Sequence, residues 1–170
     1  YGMESNWNGK RFHGKIYGGG KKLFFHAAGG YKNYGNYNSG SLEGTDTTYS
    51  SAFTKYNYNA RLGYAINDNH QLFLGYEANH GRDMMFPALP MDEREGNTRI
   101  YSMDYRGRNL SPIVKGVDLK AYLTDVYHVM DNQNRPNYSF MQMVAEVDAV
   151  NTGGRAMVDL QISKHHLQAG

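Results

Sequence analysis

Cysteine is absent from the 170 residues, so the chain contains neither a disulfide nor a thiolate metal site. The chain also lacks an excess of charge of either sign, because 18 Lys and Arg nearly balance 16 Asp and Glu, for a formal net charge of +2. Nucleic-acid binding needs a basic stripe that neutralises phosphates, and this balance gives no reason to expect one. No apolar run approaches the roughly 18 residues that a membrane-spanning helix needs. The sequence therefore predicts neither a nucleic-acid partner nor a transmembrane helix.

Tyrosine and glycine are abundant, with 15 and 20 residues, while charged residues make up only 20% of the chain. This composition argues against a helical bundle, and also against disorder, since disordered chains are poor in aromatic residues. A transmembrane β-barrel remains compatible with it. Barrel strands alternate between apolar and polar side chains, so that they average out as hydrophilic.

Period-two alternation recurs along the chain, and it is clearest in the middle. Apolar and polar side chains alternate over Tyr58–Ile66 and again over Leu72–Ala78, with a turn at Asn67–Asn69 between them. This pattern predicts a β-hairpin. Similar segments predict about seven strands and the start of another over residues 1–170, with a candidate bulge at Asn151–Gly154.

Short and long connections alternate between the predicted strands. Gly18–Lys22, Asn67–Asn69 and Gly107–Pro112 are short, whereas Asn38–Ser51 and Gly81–Asn97 are long. Outer-membrane barrels show this asymmetry, with short periplasmic turns and long extracellular loops. The sequence therefore predicts an all-β fold, a segment of an antiparallel transmembrane β-barrel. A soluble β-sandwich, whose strands also alternate, stays open as the alternative.

Two segments carry a family resemblance. The run from Asp83 to Asp92, which contains Phe-Pro-Ala-Leu-Pro-Met-Asp, and the run His128-Val-Met-Asp-Asn132 resemble motifs of TonB-dependent outer-membrane receptors, above all of the copper-receptor branch. Such receptors have a barrel of 22 strands that is filled by an N-terminal plug, and the plug contacts TonB. The resemblance implies that residues 1–170 form one partial barrel domain, roughly a third of the barrel, with the plug absent.

The resemblance also implies a function and partners. The chain would belong to a receptor in the outer membrane of a Gram-negative bacterium that imports copper. It would contact outer-membrane lipid, the rest of the barrel and the plug, and would depend on TonB through the plug. A receptor for an iron chelate, such as a siderophore or haem, is the alternative within the same class. No enzyme is expected, since the sequence has neither a Gly-x-Ser-x-Gly elbow nor a paired-carboxylate signature.

His128 and Met130 are the predicted metal ligands. Because they are two residues apart in a predicted strand, both point to one face, together with Asp118, Lys120 and Thr124. An imidazole with a thioether is a soft to borderline donor set that suits copper. In the copper branch the corresponding His and Met bind the metal together with a Cys and a Met of the plug. The resemblance implies the same role for His128 and Met130.

Met141 and Met143 are further candidate ligands of this metal site. If the turn after Met130 is centred on Asn134 and Arg135, Met141 lies opposite His128, and Met143 lies two residues further along the same face. A slip of one residue would reverse that placement.

The remaining candidates are weaker. The other histidines show no ligand spacing. The methionines of the long predicted loop are expected to pack it rather than to bind metal, and these are Met84, Met85 and Met91. Its carboxylates are expected to be solvated charges, and these are Asp92, Glu93 and Glu95.

Overall fold

The computed structural model describes residues 1–40 and 47–170, which form eleven strands and one short 3-10 helix. The strands are β1 (Gly2–Glu4), β2 (Gly9–Gly19), β3 (Leu23–Tyr34), β4 (Tyr37–Ser39), β5 (Thr47–Tyr49), β6 (Phe53–Asn67), β7 (His70–Met84), β8 (Asp92–Arg108), β9 (Val114–Asp131), β10 (Val144–Ile162) and β11 (His165–Ala169). The 3-10 helix is Pro136–Ser139. No helix within the described ranges is long and apolar enough to cross a membrane.

Nine strands form one antiparallel sheet in the order β1-β2-β3-β6-β7-β8-β9-β10-β11, while β4 and β5 pair with each other in a separate hairpin. Neighbouring strands of the large sheet therefore follow one another along the chain, and only the β4–β5 hairpin intervenes, between β3 and β6. The predicted all-β, antiparallel fold is confirmed. The soluble sandwich is not supported, because the described strands form one long layer rather than two sheets packed face to face.

Strands β6 and β7 contain the hairpin that the alternation predicts. Leu62 lies opposite Leu74, and Tyr64 lies opposite Leu72. The Asn67 side-chain oxygen accepts a hydrogen bond of 2.9 Å from the backbone amide of Asn69, which closes the turn. Because successive side chains along a strand point to opposite faces, this register decides which residues share each face of the sheet.

The register gives the sheet an apolar face and a polar face. On the apolar face, Leu74 is 48% and Met103 is 51% exposed, although both are large and hydrophobic. The opposite, polar face carries ion pairs such as Arg61–Asp104, whose atoms lie 3.0 Å apart. Soluble domains rarely leave a continuous apolar surface open to water, whereas the lipid-facing strands of a barrel require one. The sheet is thus suited to a barrel wall with lipid on the apolar side.

The connections differ in length between the two ends of the sheet. At one end they comprise residues 20–22, 68–69, 109–113 and 163–164. At the other end, here called the loop end, a short connection of residues 5–8 joins β1 to β2, and the longer connections 35–52, 85–91 and 132–143 join the later strands. Part of the predicted loop Asn38–Ser51, residues 41–46, lies outside the described residues, and β4 and β5 flank that part.

Two local predictions are wrong. The long connection predicted over Gly81–Asn97 is confined to residues 85–91, because β7 and β8 continue well beyond their apolar parts. The bulge predicted at Asn151–Gly154 does not form, since these residues keep a regular register with β9. A Cβ atom at Gly153 would collide with the ring of Tyr122 on the neighbouring strand. That glycine therefore makes room for an aromatic side chain.

Candidate functional site

His128 and Met130 lie at the loop end of β9, with both side chains on the polar face. On β8, His128 has Gly96 as its partner and Met130 has Glu93. The two predicted ligands therefore stand two residues apart on the wall of the sheet, directly below the connection 132–143. The side chain of His128 is one third exposed and so remains accessible from the polar side.

Met141 and Met143 do not lie opposite His128, and the predicted register is wrong. Pairing between β9 and β10 starts at Asp131 and Val144, so both methionines belong to the connection 132–143, where Met141 is 56% exposed. The reason is the side chain of Asn132. Its amide nitrogen donates a hydrogen bond of 2.7 Å to the carbonyl of Met141, and its oxygen accepts one of 2.8 Å from the backbone amide of Met143. These bonds close a wide loop in place of the tight turn that the prediction assumed.

A β-bulge in β8 brings a carboxylate next to His128. Glu93 is the partner of Met130 and Glu95 that of Val129, so Arg94 is an extra residue between the two pairs. Such a bulge shifts the alternation by one residue, and here it turns Glu93 to the polar face. The Oε2 atom of Glu93 lies 3.8 Å from Nδ1 of His128. With its side chain only 14% exposed, Glu93 is not the solvated charge that the sequence suggested.

Two glycines form the floor beneath the Glu93 carboxylate. Gly96 lies between Gly81 of β7 and His128 of β9 in one row across the sheet. A Cβ atom at Gly96 would collide with Oε1 of Glu93. A Cβ atom at Gly81 would lie 2.8 Å from the same oxygen and 2.6 Å from the sulfur of Met84. The carboxylate and the thioether thus occupy space that side chains at positions 81 and 96 would otherwise fill.

His128, Glu93 and Met84 line one open cavity of about 400 Å³. Met84 is the buried last residue of β7 rather than part of a loop, and it follows Asp83, whose backbone has a positive φ of 48°. The cavity therefore offers an imidazole nitrogen, a carboxylate oxygen and a thioether sulfur, with Met130 on the same face. In residues 1–40 and 47–170, no group of three or more His, Cys, Asp or Glu side chains is placed to hold a metal ion.

A buried ion pair between Arg135 and Asp92 joins the connections 85–91 and 132–143, which adjoin this cavity. Nε of Arg135 donates a hydrogen bond of 2.9 Å to Asp92, and its Nη2 bonds the other oxygen of Asp92 and the carbonyl of Phe86. Asp92 also accepts a bond of 3.0 Å from the amide of Phe86. At 5% exposure, Asp92 is structural, and the expectation of a solvated charge is wrong.

Two neighbouring polar groups are engaged elsewhere. Glu95 forms an ion pair of 3.0 Å with Arg82. His80 is buried, stacks between Tyr56 and Tyr58, and places Nδ1 2.7 Å from the side-chain oxygen of Asn97. By the strand alternation, both groups belong to the face opposite His128. His80 borders the cavity, but its ring is directed to that opposite face and is held there by Asn97.

Solved structures of metal transporters match the chain closely in fold. The copper transporter OprC matches with a TM-score of 0.79 over 94% of this chain, at 21% sequence identity. Two variants of the FrpB iron transporter from Neisseria meningitidis match over 98% of the chain. Their TM-scores are 0.70 for F3-3 and 0.69 for the F5-1 apoprotein, at 16% and 17% identity. No protein-family model matches the chain, and neither does any curated protein.

The chain spans only a part of each of these transporters, 25% of OprC and 30% and 29% of the two FrpB chains. The sheet of nine strands is open, with β1 and β11 at its two edges, as expected for a portion of a larger barrel. The fold that the resemblance to TonB-dependent receptors implies is therefore confirmed: the chain folds as an open antiparallel sheet that matches a portion of these metal transporters.

Proposed function

We propose that the chain is part of a TonB-dependent receptor that imports copper ions across the outer membrane of a Gram-negative bacterium. His128 and Met130 bind the copper at the lumen wall, which is the polar face of the sheet. The partners are outer-membrane lipid on the apolar face, the remaining barrel strands, and a plug through which TonB acts. The observation that supports the proposal most is the imidazole and the thioether side by side on the polar face at the loop end.

The donor chemistry favours copper over harder ions. Thioethers select Cu(I), and imidazole suits copper in both common oxidation states, whereas Mg²⁺ and Ca²⁺ prefer oxygen ligands throughout. A transport site must also release its ion, so binding has to be strong enough for entry and weak enough for exit. Two donors on the barrel wall fit this requirement. If the plug supplies the remaining ligands, its movement would remove them and leave the ion weakly bound by His128 and Met130 alone.

Bound copper in the purified full-length receptor tests this proposal. Elemental mass spectrometry would compare the native receptor with the variant His128→Ala, Met130→Ala. The matched control, His26→Ala with Met157→Ala, removes the same residue types from the polar face of β3 and β10. We expect stoichiometric copper in the native receptor and in the control, and its loss in the first variant. Equal copper in all three, or none in the native receptor, would contradict the proposal.

A receptor for an anionic iron chelate is the second candidate. It is favoured by the likeness to the FrpB iron transporter and by the cations of the polar face, among them Arg61, Arg106, Lys120 and Arg155. A cleft lined by cations concentrates anionic ligands. Tight binding of a ferric chelate that is unchanged by the His128→Ala, Met130→Ala variant, together with no copper binding, would select this alternative.

A further inference from the structure

Three local features together bring Glu93 to His128. The extra residue Arg94 turns Glu93 from the apolar to the polar face. Gly96, the cross-strand partner of His128, leaves the space that the carboxylate occupies, and Gly81 widens that space on the next strand. Bulges beside functional sites serve to re-aim a side chain, and the side chain re-aimed here is a carboxylate at 3.8 Å from an imidazole nitrogen.

Each carboxylate on either side of Glu93 has an arginine for a partner. Asp92 binds Arg135, and Glu95 binds Arg82 on the opposite face. The neighbour of the Glu93 carboxylate is instead His128, whose Nδ1 lies 3.8 Å from it. The strand thus directs one carboxylate of a closely spaced group to the proposed metal ligand.

We infer that Glu93 is the positioning residue of the proposed copper site: it accepts the Nδ1–H of His128 and leaves Nε2 to the metal. This inference rests on the proposed function. A neutral imidazole carries its proton on one nitrogen and binds a metal through the other, so the acceptor at Nδ1 decides which nitrogen is available. Metal-binding histidines typically donate their second N–H to a carboxylate or carbonyl.

The geometry allows this bond with little movement. The present 3.8 Å is longer than an N–H···O hydrogen bond, which spans about 2.7–3.2 Å. Glu93 is a flexible side chain above a glycine floor, so rotation of its carboxylate can close the gap without displacing the strands. The negative charge also favours a cation bound on the other side of the ring.

Copper binding to variants of the full-length receptor tests the inference, with Cu(II) as the probe. Glu93→Leu removes the acceptor, Glu93→Gln keeps an acceptor oxygen of the same reach, and Glu95→Leu is the matched control on the opposite face. We expect Glu93→Leu to lower the affinity roughly 10–100-fold, the usual range for the loss of such a partner. The loss in Glu93→Gln should be smaller, and Glu95→Leu should leave the affinity unchanged.

Electron spin-echo modulation from the remote ring nitrogen separates positioning from a merely structural role. The quadrupole coupling of that nitrogen reports the hydrogen bond at Nδ1–H, and it should shift in Glu93→Leu. An unchanged coupling in Glu93→Leu, whatever the affinity, would overturn the inference. If Glu93→Leu does not fold, Glu93→Ala carries the same expectation.

The two proposals fail in different ways. Loss of copper in His128→Ala, Met130→Ala but not in Glu93→Leu would refute only the role of Glu93. Unchanged copper in both would refute the copper site itself, and with it the inference.

Discussion

Arg135 and Asp92 form a buried, doubly hydrogen-bonded ion pair, although 43 positions separate them along the chain. The pair joins the connection 132–143 to the start of β8, and Arg135 also bonds the carbonyl of Phe86 in the connection 85–91. Both loops directly follow strands that line the cavity, since 85–91 follows β7 and 132–143 follows β9. One arginine, whose side chain is only 14% exposed, therefore ties together the loops next to the proposed site.

Replacing this arginine should loosen the loops without unfolding the barrel. Arg135→Ala leaves the Asp92 carboxylate buried without its cation, and breaking a buried pair in this way costs on the order of 3–5 kcal/mol. The strand pairing of β7, β8 and β9 does not involve Arg135, so the sheet should persist. We expect faster proteolytic cleavage within residues 85–91 and 132–143, measured on the detergent-purified receptor.

The control for this experiment is Arg99→Ala. Arg99 and Asp125 form a largely exposed pair at 3.1 Å, and such pairs contribute at most about 1 kcal/mol. Its removal should leave the cleavage rate of both loops unchanged. Equal protection of the loops in Arg135→Ala and in the native receptor would show that the ion pair does not anchor them.

A charge on the apolar face should impair folding into the membrane. Leu74→Arg places a guanidinium where lipid is expected, and a charged side chain at the bilayer midplane of a barrel costs about 2–4 kcal/mol. Asn79→Arg, on the polar face of the same strand, serves as the control. Urea titration of refolding into vesicles should show a loss of stability in Leu74→Arg alone. A larger loss in Asn79→Arg would mean that the two faces are assigned the wrong way round.

Filling the glycine floor should reproduce the effect of Glu93 variants. In Gly96→Ala the new methyl group collides with the carboxylate of Glu93, and since that is the end of a flexible chain, Glu93 moves away and the fold survives. We expect weaker copper binding, measured by competition with a chromogenic chelator. Gly75→Ala is the matched control, because its methyl group meets the side chain of Ser102 away from the site. Copper affinity equal to that of the native receptor in Gly96→Ala would argue against a role for the carboxylate.

The middle of the strands could be predicted from the sequence, because the alternation of side chains follows directly from the extended backbone. Their loop ends could not. The residues at the end of β7 and the start of β8 are mostly polar on both faces, so that they lack the alternation that predicts a strand. Their sequence therefore resembles that of a loop. Only the pairing with neighbouring strands reveals them as part of the sheet.

The residues of the candidate site likewise fall into those that the sequence predicts and those that it does not. His128 and Met130 follow from the motif and from period two. Glu93 could not be found, because its face depends on the extra residue Arg94, which becomes visible only in the register with β9. The placement of Met141 failed because Asn132 closes a wide loop through backbone bonds, which no local spacing indicates.

The motifs that carry the family resemblance contain residues with two distinct tasks. His128 and Met130 face the polar side, where a substrate would pass. Asp92 and Asn132 instead fix the two loops beside them, through Arg135 and through the backbone of Met141 and Met143. The two motifs therefore contain residues that hold the loops beside the proposed site as well as its proposed ligands.

Anomalous diffraction at the copper edge, from crystals of the full-length receptor grown with copper, tests the central claim most directly. We predict an anomalous peak within bonding distance of His128 Nε2 and Met130 Sδ. A copper peak elsewhere in the lumen, with none between these two atoms, would contradict the copper site proposed on β9.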